Sequence, residues 1–200
     1  NFSDEYAGAV SLYVKDITKH SIYKNDTFIY GDTLNKKKLL KNFIHLYSDK
    51  HFNLSKTKAY VKEFINKEKY RCSDIIEIHN RPSYVKFIDH SIKSKIILYF
   101  HNDPLTMKNS ITINDRLSLL NKTEKIIFNS HWCMSRFTAD LKISDYKDKL
   151  LVIPQSTSKT KIDFKYKKKL ISFVGKLNES KGYDIFGKSI IKILDEFKDW

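Results

Sequence analysis

Lys95-Ile96-Ile97-Leu98-Tyr99-Phe100-His101-Asn102-Asp103-Pro104 is the stretch on which the fold turns. An unbroken apolar run, Ile96 to Phe100, stops abruptly at His-Asn-Asp-Pro. A strand with one wet face alternates, whereas a continuous apolar run fits a strand buried on both faces of a parallel sheet. The same grammar recurs on either side. Asp74-Ile75-Ile76-Glu77-Ile78 runs into His79-Asn80-Arg81-Pro82, Lys125-Ile126-Ile127-Phe128 into Asn129-Ser130, and Lys149-Leu150-Leu151-Val152-Ile153 into Pro154. Each proline lies just past the C-terminal end of a run, where its missing N–H costs no ladder bond.

Helical patterns separate these runs, at Ser83–Ile92, Ile113–Asn121 and Trp132–Leu141. Strands alternating with helices predict an α/β fold, a Rossmann-like parallel sheet with helices on both faces. Further upstream, Ala9–Ser21 reads as a helix, Thr27–Tyr30 as a short strand closed by Gly31-Asp32, and Lys41–Tyr47 as a second strand or part of a helix from Leu34. Ser55–Tyr70 reads as a helix that Ser55 can cap. After Pro154 a polar, Lys-rich stretch leads to Leu170-Ile171-Ser172-Phe173-Val174, read as a fresh strand. It is followed by Gly175-Lys176-Leu177-Asn178-Glu179-Ser180-Lys181-Gly182 and a last helix from Asp184. This change of texture sets the expected division at residues 1–165 and 166–200. The chain does not begin with Met and ends at Trp200 inside a helical pattern, so it reads as a fragment of a longer protein.

Composition narrows the function classes. The 200 residues include 41% hydrophobic and 14% aromatic, which excludes wholesale disorder. Two cysteines, Cys72 and Cys133, make no disulfide scaffold or four-Cys zinc site and fit a reducing compartment. No apolar run approaches the ~20 residues of a membrane span. Lys plus Arg number 37 against 23 acids, a net charge of +14. Nucleic acid, an anionic membrane surface, phosphorylated small molecules and plain compositional bias all remain open as explanations.

In open α/β sheets, ligands bind beyond the carboxyl ends of the strands. Those ends carry His79, Asn80, Arg81, His101, Asn102, Asp103, Asn129 and Ser130. His101 suits a hydrogen bond to a substrate hydroxyl or general acid–base work, or a bond to a nearby carbonyl. Arg81 suits a carboxylate or phosphate, or a salt bridge. His79, His101 and Asp103 lack the tight spacing of HExxH, so no metal is expected. Ser130 lacks the GxSxG context of a nucleophile. Trp132 and Cys133 are expected in the core. The small-residue loop around Gly8 leaves room for a ligand near backbone N–H groups. Lys176 and Lys181 flank a loop before a helix N-terminus, which favours phosphate, although solvated lysines are the plainer explanation. The run Lys36-Lys37-Lys38 with Lys41 suits phospholipid head groups or a solvated face.

In their order and spacing, Ala7-Gly8-Ala9, Asp74–Pro82, Tyr99–Pro104, Ile127–Ser130 and Val174-Gly175-Lys176-Leu177 followed by Lys181-Gly182 resemble the GT-B glycosyltransferases of family 4. These enzymes transfer a sugar from a nucleotide-sugar donor with retention of configuration. The resemblance covers nearly the whole chain. It implies an N-terminal, acceptor-side Rossmann-like domain without its first strand, then the first βα unit of a donor-binding domain. The family's E-x7-E motif lies outside the chain, so the 200-residue stretch alone is expected to be inert. Lys176 and Lys181 would neutralise the departing diphosphate, with no obligatory metal or other cofactor. His101 would lie by the transferred sugar, Gly8 and Gly175 by the donor, and His79, Asn80, Arg81, Asn102, Asp103 and Ser130 toward the acceptor.

The implied partners are a nucleotide sugar, a glycan or lipid-linked acceptor and an anionic membrane surface. The implied setting is the cytoplasm, peripheral on the inner face of the cell membrane, in cell-surface polysaccharide or glycolipid synthesis. Two positions depart from the family pattern. Lys176 stands where the family commonly has Arg, and Gln155-Ser156-Thr157 stands where many members have Asn-Gly and an acid. The alternative reading is a basic α/β module that binds nucleic acid without catalysis. The scattered lysines and the lack of a nucleic-acid motif weigh against it.

Overall fold

The computed structural model describes residues 2–33, 37–47, 54–157, 159, 161, 163, 165 and 168–200. It forms two compact units, Asn1–Ser158 and Lys159–Trp200. The first is an α/β fold with parallel sheets flanked by helices. Four strands, β3 (Ile75–His79), β4 (Lys95–Phe100), β5 (Lys125–Phe128) and β6 (Leu150–Val152), lie side by side in chain order and all parallel. A separate parallel pair joins β1 (Ile29–Gly31) to β2 (Phe43–His45). A Cβ on Gly31 would stand 2.7 Å from the Phe43 ring, so a larger residue there would have to move that ring.

The helices follow local signals. Helix α2 (Lys56–Arg71) starts at Ser55, whose hydroxyl accepts from Lys58 N. Helix α3 (Pro82–Phe87) begins on a proline, tolerated at the first helical position. Helix α4 (Ile113–Lys122) opens with a capping box between Thr112 and Asp115. Helix α5 (His131–Thr138) is capped by Ser130, and α1 spans Ala9–His20. Helix α3 is shorter than its sequence pattern: it ends at Phe87, and Ile88 is already extended.

Period-two alternation splits the four-stranded sheet into two faces. Ile76, Ile78, Leu98, Phe100, Ile126 and Phe128 turn toward α2 to α5 and meet Val61, Ile65, Val85, Leu119, Leu120, Cys133 and Phe137. That layer is the core; Leu98, Phe100, Leu120, Ile126, Phe128 and Phe137 are all fully buried. The opposite face carries Glu77, His79, Tyr99 and His101, and α1 sets Tyr13 against it. Of the two residues expected in the core on α5, Cys133 is buried. Trp132 is 58% exposed and lies under the Arg136 guanidinium instead, because α5 turns Cys133 and Phe137 inward.

The second unit holds helix α6 (Tyr183–Glu196) and the short turn Glu179–Lys181 before it. The run Leu170–Val174, expected as a strand, is not one. A strand needs a ladder partner for its backbone groups, and the described residues of this unit contain no other strand. The run stays open, with Leu170 and Val174 exposed.

Candidate functional site

The C-terminal ends of β3, β4 and β5 are laced by asparagines. Asn80 N–H donates to Tyr99 O at 2.7 Å, and its side-chain oxygen accepts from His101 N–H at 3.2 Å. Asn80 sits at φ 57°, the left-handed region that Asn tolerates better than most residues. Asn129 repeats the pattern one strand on: its N–H donates to Phe100 O and its Nδ2 to His101 O at 2.8 Å. The backbone around His101 is thereby fixed on both sides.

Strand register then assembles a ring cluster. His79 is paired with Tyr99 across β3 and β4, and His101 lies two residues beyond Tyr99 on the same face. The Tyr99 and His101 rings stack at 4.4 Å, those of His79 and His101 at 5.2 Å, and Tyr13 meets His101 edge-on at 5.1 Å. Tyr13 Oη donates to Tyr99 Oη at 3.3 Å, and Tyr99 Oη donates to Ile153 O. His79 Nδ1 and His101 Nε2 share a hydrogen bond of 2.9 Å, while His101 Nδ1 bonds the Gln155 side-chain nitrogen. His79 Nε2 faces Glu77 Oε1 at 3.4 Å. Both nitrogens of His101 are therefore engaged, and the residue is only 8% exposed.

Burial sets the charge state of this cluster. Desolvation lowers His79 to about 3, helped by the neighbouring His101, and lowers His101 to about 4. Both rings are neutral at pH 7. A base this weak is badly matched to proton abstraction near neutrality. It is well matched to a hydrogen bond with a hydroxyl. Desolvation also raises the Glu77 carboxyl and the Tyr99 phenol.

The expected site residues divide by what they touch. His79, Asn80 and His101 come together in one hydrogen-bonded group. Asp103 is turned to architecture: its carboxylate accepts from Leu105 N–H at 3.0 Å, capping the turn Pro104–Thr106, and pairs with Arg136 at 3.2 Å. Ser130 Oγ accepts from Cys133 N–H as the cap of α5. Asn102 is exposed, with its carbonyl accepting from Cys133 Sγ. Arg81 is exposed, donates to Asn80 O at 3.0 Å and lies beside Tyr84. Gly8 is the exposed residue preceding α1, and a Cβ on it would meet nothing within 4 Å. Lys37, Lys38 and Lys41 are described and Lys36 lies outside the described residues. Lys38 Nζ stands 5.0 Å over the Phe43 ring and bonds Thr33 O.

Sequence reasoning passed over Tyr13, Glu77, Tyr99 and Gln155. One signal was present: in Ile75-Ile76-Glu77-Ile78-His79 the polar residues alternate with apolar ones, so Glu77 and His79 share a face. Tyr13 and Gln155 reach the cluster from 88 and 54 positions away from His101, and nothing local marks them.

In the second unit, Gly175, Lys176 and Lys181 stand in the loop leading to α6. Both lysines are exposed. Gly175 lies close to Lys181: a Cβ built on it would be 3.5 Å from Lys181 Cβ. Gly182 adopts φ 71°, ending the turn Glu179–Lys181 and starting α6. A shallow depression of about 450 Å³ in the same loop is lined by Leu177, Asn178, Glu179, Ser180 and Tyr183.

Among the described residues no three His, Cys, Asp or Glu side chains are grouped to hold a metal ion, and no helix is long and apolar enough to cross a membrane. In comparisons with known proteins, no family model, curated protein or solved structure matches the chain.

Proposed function

We propose that the chain is part of a retaining GT-B glycosyltransferase that moves a sugar from a nucleotide-diphosphate sugar to a glycan or lipid-linked acceptor, in the manner of family 4. The observation that carries this reading is the neutral His101 at the carboxyl end of a central parallel strand, stacked on Tyr99 and bonded to His79. A buried, neutral imidazole offers a sugar hydroxyl a directional hydrogen bond without adding charge. Lys176 and Lys181 supply the charge in this scheme. Exposed before the N-terminus of α6, they meet the donor diphosphate, and fixed cations aimed at a developing negative charge lower a barrier. The excess of basic residues suits the same donor and an anionic membrane surface bearing the acceptor.

The test is a donor screen on the complete enzyme. Nucleoside diphosphate release is followed with uridine and guanosine diphosphate sugars, in the presence of lipid extracts as acceptor. Transfer is expected with one donor class, without added metal, and Lys181→Ala is expected to lower kcat while the melting temperature holds. A Lys181→Ala enzyme that transfers sugar at the parent rate removes the diphosphate role. Silence across all donors removes the proposal.

A further inference from the structure

Gln155, His101, His79 and Glu77 form one line of polar contacts along the outer face of the sheet. A neutral imidazole carries a single N–H, so each histidine donates from one nitrogen and accepts at the other. Only two directions are then open to the whole line. In one, the Gln155 amide donates to His101 Nδ1, His101 Nε2–H donates to His79 Nδ1, and the N–H of His79 falls on Nε2, 3.4 Å from the Glu77 carboxyl oxygen. In the other, His79 Nδ1–H donates to His101 Nε2, His101 Nδ1–H points at Gln155, and the bare Nε2 of His79 faces the Glu77 oxygen at 3.4 Å. A lone pair against an anion is repulsive, whereas an N–H against it is attractive. An ionised Glu77 therefore selects the first direction.

We infer that Glu77 and His79 are positioning residues that hold His101 with Nδ1 as a bare acceptor, and that Gln155 occupies the place of a ligand hydroxyl on that nitrogen. Gln155 belongs to the exposed segment after β6, so its amide is a replaceable donor, while the His79 side of the line is built into the strands. The ligand class follows from the geometry: a neutral hydroxyl donor, such as one hydroxyl of a sugar, displaces the Gln155 N–H and meets an oriented lone pair. This inference rests on the transferase reading for the identity of the ligand, but not for the tautomer.

The experiment is long-range ¹H–¹⁵N spectroscopy of the imidazoles at pH 7.5, with no substrate present, assigned through His79→Asn and His101→Asn. His79 and His101 are both expected as Nε2–H tautomers. In Glu77→Gln the Nδ1–H fraction of His101 is expected to rise about 1.5- to 5-fold, the scale of losing one partly exposed charge contact. Glu77→Asp, which keeps the charge, should stay near the parent. Gln155→Ala should leave the tautomer unchanged and shift the Nδ1 resonance toward an unbonded acceptor. An Nδ1–H His101 in the parent protein overturns the inference without any variant. So does a tautomer fraction that Glu77→Gln leaves unmoved while circular dichroism shows the fold intact. A protein with the expected tautomers that transfers no sugar sinks the transferase reading alone.

Discussion

Asp103 and Arg136 are joined by a two-pronged ion pair, with Arg136 Nη2 3.2 Å and Nε 3.3 Å from the carboxylate. The same carboxylate caps the turn Pro104–Thr106. It ties the end of β4 to helix α5, so an acid that reads as an acceptor contact in the sequence is committed to holding two elements together.

Asp103→Ala is accordingly expected to reduce stability by about 1–2 kcal/mol, the sum of a lost cap and a partly exposed ion pair. Urea denaturation of the two proteins measures it. Asp103→Asn, which keeps the accepting oxygen for Leu105 N–H but not the charge, should recover about half. A parent-like midpoint for Asp103→Ala would mean that the carboxylate is free for a ligand after all.

The two histidines make stability depend on pH in a fixed direction. Their folded pKa values, about 3 for His79 and about 4 for His101, lie below the ordinary 6.5. In the window below 6.5 the unfolded chain binds protons that the folded chain does not, so stability is full above 6.5 and falls as pH drops toward 4. Each histidine contributes a slope of about 1.4 kcal/mol per pH unit at most. Glu77 works the other way. Its raised carboxyl stabilises the folded state below its ordinary 4.5 and loses that contribution as pH rises through the folded value. Thermal melts between pH 7.5 and 4.5 should fall steeply for the parent and less so for the double variant His79→Asn/His101→Asn. Parallel curves for the two proteins contradict the burial of neutral rings.

Phe137 tests the opposite face of the sheet. It is fully buried, with its ring 5.5 Å from that of Phe100 and 5.3 Å from that of Phe128. Phe137→Ala should cost about 3–5 kcal/mol, because the transfer energy of the ring is lost and the cavity is walled by strands that cannot close it. That is a large share of a typical domain's ~5–15 kcal/mol. A loss under about 1 kcal/mol, read from chemical denaturation, would place α5 elsewhere.

What could be read in advance follows the length of the signal. Ile96–Phe100 and Ile126–Phe128 are continuous apolar runs, and their strands fall where the runs are. Trp132 escapes the expected burial because apolarity alone does not say which side of a short helix faces inward; the buried pair Cys133 and Phe137, four apart, does. Leu170–Val174 has a strand's composition, but composition does not supply a ladder partner. The site was half legible. His79, Asn80 and His101 are visible as polar residues at strand ends. Alternation along β3 already marks Glu77 as sharing a face with His79, but Gln155 acquires meaning only when the chain after β6 returns to His101. That is information carried by tertiary pairing, which no local pattern encodes.

The last prediction separates shape from charge at the start of α6. Gly182 holds φ 71°, a conformation that costs an L side chain roughly 1–2 kcal/mol. It is there because the chain must turn out of Glu179–Lys181 and directly into a helix, with Gly182 O accepting from Phe186 N–H at 2.9 Å. Gly182→Ala should therefore speed amide exchange in Tyr183–Glu196 by about an order of magnitude. Gly182→Asn should do so much less, since Asn tolerates the left-handed region. Lys181→Ala leaves the turn's backbone bonds in place and should not change exchange at all. If Lys181 acts on a diphosphate as proposed, its loss appears in sugar transfer and not in exchange, whereas Gly182→Ala moves both. A Lys181→Ala protein with fast-exchanging α6 amides would make the lysine a structural part of the turn and remove the reason to assign it a ligand.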